Sequence, residues 1–165
     1  MLEVTAAEVE EFEAIVRTYR RNIFRFVLAS LRDPDVAESV TQDCLLKAYK
    51  ARQKFRGDCS IQTWLMQIAV NLVRDVAATR RFQFWRARVV SVDSVINWIP
   101  DGERSPEEQA HARQQVEAIW SVTGSLPERQ RTVFLLHFME DLDTSQNEAV
   151  TGISKTAMKV HLFRG

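Results

Sequence analysis

Apolar residues recur every three or four positions through most of this chain, the spacing that gathers them on one side of a helix. Over residues 7–31, Phe12, Ile15, Val16, Tyr19, Ile23, Phe26 and Val27 fall on one side, and Arg17, Arg20, Arg21 and Arg25 on the other. Asp33-Pro34 ends that segment, because proline lacks a backbone donor and disfavours helix in the residue before it. Asp33 or Asp35 can cap a second helix, 35–52. It turns Val36, Ala37, Val40, Cys44, Leu45, Ala48 and Tyr49 inward and leaves Glu38, Gln42, Asp43 and Lys47 outside. A polar, glycine-bearing loop at 55–60 then feeds a third helix, with Trp64, Leu65, Ile68, Ala69, Leu72, Val73 and Val76 on its apolar face.

The pattern fails between residues 82 and 106, where Asp93, Pro100, Asp101-Gly102 and Ser105-Pro106 supply turn chemistry over a length unusual inside one domain. This stretch reads as a flexible linker. Ser105-Pro106-Glu107-Glu108 starts a new helix, with proline in the first turn and acids at the positive end of the dipole. Val116, Ile119, Trp120 and Val122 give it an apolar side, and Leu126-Pro127-Glu128 restarts another helix bearing Val133, Phe134, Leu135 and Phe138. Residues 143–151, Gly152 and 154–164 read as helix, tight turn, helix: Gly152 takes the left-handed turn and Ser154 caps the second helix. That is a helix-turn-helix pattern, whose second helix enters a DNA major groove. No window alternates with the two-residue period of a strand. The expected fold is all-α. Two small helical domains, an N-terminal bundle over 7–81 and a helix-turn-helix domain over 107–165, are joined by the linker 82–106.

The third helix carries the chemistry that stands out. Its polar face holds Gln67, Asn71 and Arg74 and ends at Arg80-Arg81, amides and cations with few acids to oppose them. Such a stripe suits a nucleic-acid backbone and unstacked bases, although the same pattern describes an ordinary solvated face. The zero net charge hides an asymmetry: residues 1–86 carry 14 Lys/Arg against 11 Asp/Glu, and residues 107–165 carry 6 against 8. Without a bulk polycation, DNA binding has to be local and weak in the absence of a partner. Cys44 and Cys59 have no metal-ligand spacing with His111, His137 and His161, so reduced thiols and no metal are expected. No apolar run is long enough to span a membrane and no basic-then-apolar leader opens the chain, which points to the cytoplasm. There is no Ser/His/acid set and no phosphate-binding glycine loop, so neither an enzyme nor a small-molecule substrate or cofactor is expected.

Taken together, the ordered segments resemble the sigma factors of bacterial RNA polymerase, in the small two-domain extracytoplasmic-function group. DPDVAESVTQDCLLKAYK is similar to the helix that docks on the polymerase clamp. FRGDCSIQTWLMQIAVNLVRD, followed by RR, is similar to the reader of the minus-ten element. LPERQRTVFLLHFMEDL with GISKTAMKVHLFRG is similar to the minus-thirty-five domain. The similarity runs from about residue 12 to 165 with the linker unmatched. It implies polymerase contacts at Ser39, Gln42, Asp43 and Leu46. It implies that the loop from Gly57 to Gln62 receives a flipped base, with Arg56, Gly57, Asp58, Cys59, Ser60, Gln67, Asn71, Arg74, Arg80 and Arg81 contacting the minus-ten strand. Asp75 matches a neighbouring position and can instead pair with Arg74 or a later arginine. In the last helix Met158 and Leu162 face inward, while Lys155, Thr156, Lys159 and Arg164 face the minus-thirty-five duplex. The implied partners are core RNA polymerase, promoter DNA and an anti-sigma protein.

The chain departs from this pattern in three places. Ser39 replaces a usual acid on the docking helix. Asn147, Glu148 and Thr151 stand where the family packs apolar residues or alanine, and burying an unpaired polar group costs roughly 1–3 kcal/mol, so this helix is expected to fray, to shift register, or to rely on Ala149 and Val150 for its contacts. The last helix stops at Gly165, short of the family's length, which leaves the minus-thirty-five reader truncated or early-ending. Two other readings stay open: a free-standing dimeric helix-turn-helix regulator, and a helical adaptor that binds only protein.

Overall fold

The computed structural model describes residues 6–79 and 105–163. Among them run seven α-helices: α1 (Ala6–Leu31), α2 (Pro34–Ala51), α3 (Ile61–Ala78), α4 (Pro106–Ser125), α5 (Glu128–Phe138), α6 (Thr144–Thr151) and α7 (Lys155–Phe163), with a single 3-10 turn at Arg52–Lys54. The expected linker lies outside the described residues up to position 104, and Pro106 opens α4. No helix of the described residues is long and apolar enough to cross a membrane.

Local chemistry sets the helix ends. Asp33, not Asp35, caps α2: its Oδ1 accepts from the Val36 amide at 3.0 Å, and Pro34 occupies the first turn, where no donor is needed. Ser60 caps α3 by accepting from the Thr63 amide at 3.1 Å. Asp143 and Gln146 form a reciprocal capping box at the start of α6. Gly152 ends α6 in the left-handed conformation, φ 70°, and Ser154 Oγ accepts from the Ala157 amide at 3.3 Å to start α7.

The three N-terminal helices form a bundle in which α1, α2 and α3 all touch one another. Phe26, Val27, Leu65, Met66 and Ala69 are fully buried. Val36 and Tyr49, expected inside, are half-buried against this core, with the Tyr49 ring meeting Phe12 edge-on at 5.1 Å. The C-terminal helices pack on the same bundle: α5 lies against α1, and α6 against α3. This accounts for burial that one apolar stripe per helix does not predict. Phe24, Leu28, Ala29 and Leu31 on α1, and Thr63, Met66 and Val70 on α3, are buried as well. A single apolar cluster therefore runs from Phe26 and Leu65 through Trp120, Leu135, Leu142 and Val150.

Polar contacts line the seam between the two halves. Arg32, in a left-handed conformation (φ 59°) at the α1–α2 corner, lays its guanidinium over the Trp120 ring at 4.7 Å and donates to the Trp120 carbonyl at 2.6 Å. Arg131 donates to the Ser30 carbonyl at 3.5 Å. Asn22 donates to Glu140 Oε2 at 3.1 Å, Gln62 to the Glu140 carbonyl at 3.0 Å, and Gln67 to the Ala149 carbonyl at 2.9 Å.

Candidate nucleic-acid and polymerase interfaces

The loop before α3 turns at Gly57, whose φ of 75° suits glycine. Arg56, Gly57, Asp58 and Ser60 are exposed and Cys59 is half-buried. Behind the loop, the Phe55 and Trp64 rings stack at 5.0 Å. Trp64 is half-buried against the core, in keeping with its place on the apolar stripe. The Ser60 hydroxyl is engaged within the chain, capping α3 and sharing a 2.8 Å hydrogen bond with Thr63 Oγ1. Along α3, Asn71, Arg74 and Asp75 are exposed. Among the described residues neither Arg74 nor Asp75 forms an ion pair, so the alternative Arg74–Asp75 bridge is not made. Gln67 is half-buried with its amide on Ala149. The stripe is therefore split: its C-terminal part faces solvent, and its N-terminal part lies under α6. Arg80 and Arg81 lie outside the described residues.

On α2, Ser39, Gln42, Asp43 and Leu46 form one exposed surface. Leu46 is 51 % exposed, an apolar side chain offered to solvent among polar neighbours. Gln42 donates to Glu38 Oε1 at 2.9 Å, and Arg20 of α1 pairs with the same oxygen, so this side of the surface is held in place.

On α7, Lys155, Thr156 and Lys159 are exposed while Met158 is fully buried, the division expected of a helix that docks by one face and reads by the other. Arg164 and the Leu162 side chain lie outside the described residues. Helix α6 beneath is continuous across Thr144–Thr151, without fraying, and of the two residues expected to make its contacts Val150 is buried while Ala149 is exposed. Local backbone takes up most of their polarity. Asn147 donates to the Leu142 carbonyl at 3.4 Å, and the Thr151 hydroxyl donates to the Asn147 carbonyl at 2.7 Å and accepts from the Ile153 amide at 3.2 Å. Asn147 Oδ1 alone is buried without a partner among the described residues of this helix.

Among the described residues, burial displaces two titratable groups. Burial pushes the Cys44 thiol up to about 12, against a smaller opposing effect of Lys47, and its Sγ lies 3.6 Å from the Leu65 carbonyl. Burial at the seam likewise pushes the Glu140 carboxyl from 4.5 up to about 7. Sequence reasoning does not single out Asn22, Gln62 and Glu140 as a group; their meeting depends on how the two halves pack, which no periodicity encodes.

Comparison with known proteins places this arrangement. Residues 15–83 match the family Sigma-70 region 2 and residues 117–165 match the family Sigma-70, region 4, together well over half of the chain. The RNA polymerase sigma-H factor of Pseudomonas aeruginosa is 28% identical over 166 residues, covering 98% of this chain and 85% of that protein. The ECF RNA polymerase sigma factor SigX of Bacillus subtilis is 23% identical over 160 residues, covering 94% and 80%. In fold, the chain is similar to the sigma factor RpoE from Bartonella quintana, solved in complex with the anti-sigma factor NepR. That likeness has a TM-score of 0.64 at 17% identity and covers 94% of this chain and 91% of that one. With region 2 on the bundle that carries the exposed α3 stripe and region 4 on the helix-turn-helix, the chain belongs to the sigma-70 family of RNA polymerase sigma factors, in its extracytoplasmic-function group.

Proposed function

We propose that this chain is a dissociable initiation factor. It binds core RNA polymerase in the cytoplasm, directs it to promoters by reading minus-ten and minus-thirty-five elements, and catalyses no covalent change. Residues 7–81 dock on polymerase through Ser39, Gln42, Asp43 and Leu46, an apolar centre with a polar surround. They read the melted minus-ten strand through the loop Arg56 to Ser60 and through Asn71 and Arg74. An amide reads base edges, a cation neutralises phosphate, and capture of flipped bases offsets the stacking lost on melting. Residues 106–165 present Lys155, Thr156 and Lys159 to the minus-thirty-five major groove, with the segment before α4 as the tether. The observation that carries this reading is the solvent-facing Asn71 and Arg74 on α3, in a chain matched by the two sigma regions in order.

Element spacing adds a requirement. Elements named minus ten and minus thirty-five lie roughly 25 base pairs apart, about 85 Å at 3.4 Å per step. A compact chain of this length has a radius of gyration of about 15 Å. The packed arrangement cannot straddle both elements, so the seam parts when the factor works, and that parting also releases Gln67. An anti-sigma protein that covers the docking surfaces while the halves stay packed fits the same logic.

The test is reconstitution. Core polymerase mixed with the full chain should gain selective initiation on genomic DNA. Duplex binding by the chain alone at a palindromic site would favour a free-standing regulator instead, and no effect on either would leave the protein-binding adaptor.

A further inference from the structure

Glu140 stands where α1, α3 and the end of α5 meet, with 3 % of its surface exposed. Asn22 donates to its Oε2, and Gln62 donates to its backbone carbonyl. Its Oε1 is buried and makes no hydrogen bond of regular geometry among the described residues, although the Gln62 amide helps to hold the carboxyl down. The charged groups that act on the carboxyl are Arg25 on α1 and Asp141 next in the chain; α3 contributes the uncharged Gln62. A carboxylate with one oxygen poorly satisfied in a dry seam is costly, and a neutral carboxyl in the same place is much less so.

We propose that Glu140 is a proton-dependent latch between the two halves of this sigma factor: neutral, it holds them packed, and ionised, it favours their parting. The latch would couple acidity to exposure of the reading stripe, since Gln62 and Gln67 are tied down in the same seam. The direction follows from burial. In the packed state burial lifts the carboxyl from 4.5 to about 7, Asp141 adds to the rise, and Asn22, Arg25 and Gln62 oppose it. In the parted state water surrounds it and its ordinary value returns. The packed state thus binds the proton more tightly. Its advantage is complete below 4.5, falls about tenfold per pH unit up to about 7, and is flat above.

The role in transcription rests on the function proposed above, but the latch does not. Small-angle scattering from the full chain tests it without polymerase or DNA, so failure of the one is distinguishable from failure of the other. Between pH 5 and 8 the radius of gyration should rise, with the packed-to-parted ratio falling on the order of a hundredfold. Glu140→Gln should stay compact at both ends of the range. Arg25→Gln, which removes a cation that stabilises the ionised carboxyl in the packed state, should leave the packed-to-parted ratio unchanged near pH 5 and lower it further at pH 8. An unchanging radius in the unaltered chain, or a Glu140→Gln chain that expands with pH as the unaltered one does, would overturn the latch. If circular dichroism shows Glu140→Gln unfolded, Arg25→Gln decides, and a packed-to-parted ratio at pH 8 no lower than that of the unaltered chain overturns it.

Discussion

Gln67 on α3 donates its side-chain amide to the backbone carbonyl of Ala149 on α6 at 2.9 Å, joining the polar stripe of α3 to the first helix of the helix-turn-helix. One turn along, Asn71 faces solvent. The two amides are alike in chemistry and differ in what lies above them. Gln67→Met keeps length and helix propensity but removes the donor, so it isolates this bond. The site is partly wet, which puts the loss near the lower end for a neutral hydrogen bond, about 0.5 kcal/mol. Urea unfolding should show a lower midpoint for Gln67→Met and no such drop for Asn71→Met. Equal midpoints for the two would mean that the bond does not hold the seam.

Exposed Asn71 and Arg74 carry a separate prediction for transcription. Asn71→Ala should lose a base-edge contact worth about 1–3 kcal/mol and slow promoter opening between roughly fivefold and a hundredfold. Arg74→Ala should weaken promoter binding more evenly across sequences and reduce the steepness of its salt dependence by about one. Polymerase binding should not change in either variant, because the docking surface proposed above is on α2. Should both variants initiate at the normal rate across a salt series, α3 is not the reading helix.

Much of this arrangement is legible in the sequence, and the gaps have one physical origin. Periodicity places helices, and Asp33, Pro106, Gly152 and Ser154 mark their ends by chemistry that acts over three or four residues. The half-exposed helix faces are legible for the same reason. The second buried arcs are not: Phe24 and Leu28 on α1, and Met66 and Val70 on α3, are covered because a second set of helices packs there. An isolated amphipathic helix and one gripped from two sides differ little in pattern. Glu140 is the sharpest case. Followed by Asp141 and a turn, it reads as a surface acid, and its burial depends on Asn22 and Gln62, which lie 118 and 78 residues away along the chain. The polar residues of α6 look like damage in the sequence because their partners are backbone carbonyls and amides, which side-chain patterns do not reveal.

The two cysteines should differ sharply in reactivity. Cys44 is enclosed between α2 and α3 with its thiol pushed up to about 12, so at pH 8 roughly one molecule in ten thousand is a thiolate. Cys59 sits half-buried in the loop before α3. Iodoacetamide at pH 8 should therefore modify Cys59 in the folded chain and leave Cys44 untouched until the chain is denatured, as read by peptide mass. Equal alkylation of both in the native protein would show that α2 and α3 do not enclose Cys44 as described.

Asn147 gives a prediction whose sign runs against the usual effect of trimming a buried side chain. It is 1 % exposed, its Nδ2 makes a long 3.4 Å contact to the Leu142 carbonyl, and its Oδ1 has no partner among the described residues. Asn147→Ala removes that orphaned oxygen, whose burial costs about 1–3 kcal/mol, and gains some tenths of a kcal/mol in helix propensity. Against this stand a lost weak hydrogen bond and a small cavity, together about 1–2 kcal/mol. The Leu142 carbonyl does not become an orphan in turn, because His137 Nδ1 lies 3.1 Å from it and can donate to it. The balance favours the variant by about 0.5–1 kcal/mol, a rise of roughly 1–4 °C in melting temperature for a chain of this size. A melting temperature lowered by several degrees would mean that Asn147 is better satisfied than its contacts indicate, and that α6 relies on this amide to hold the turn before it.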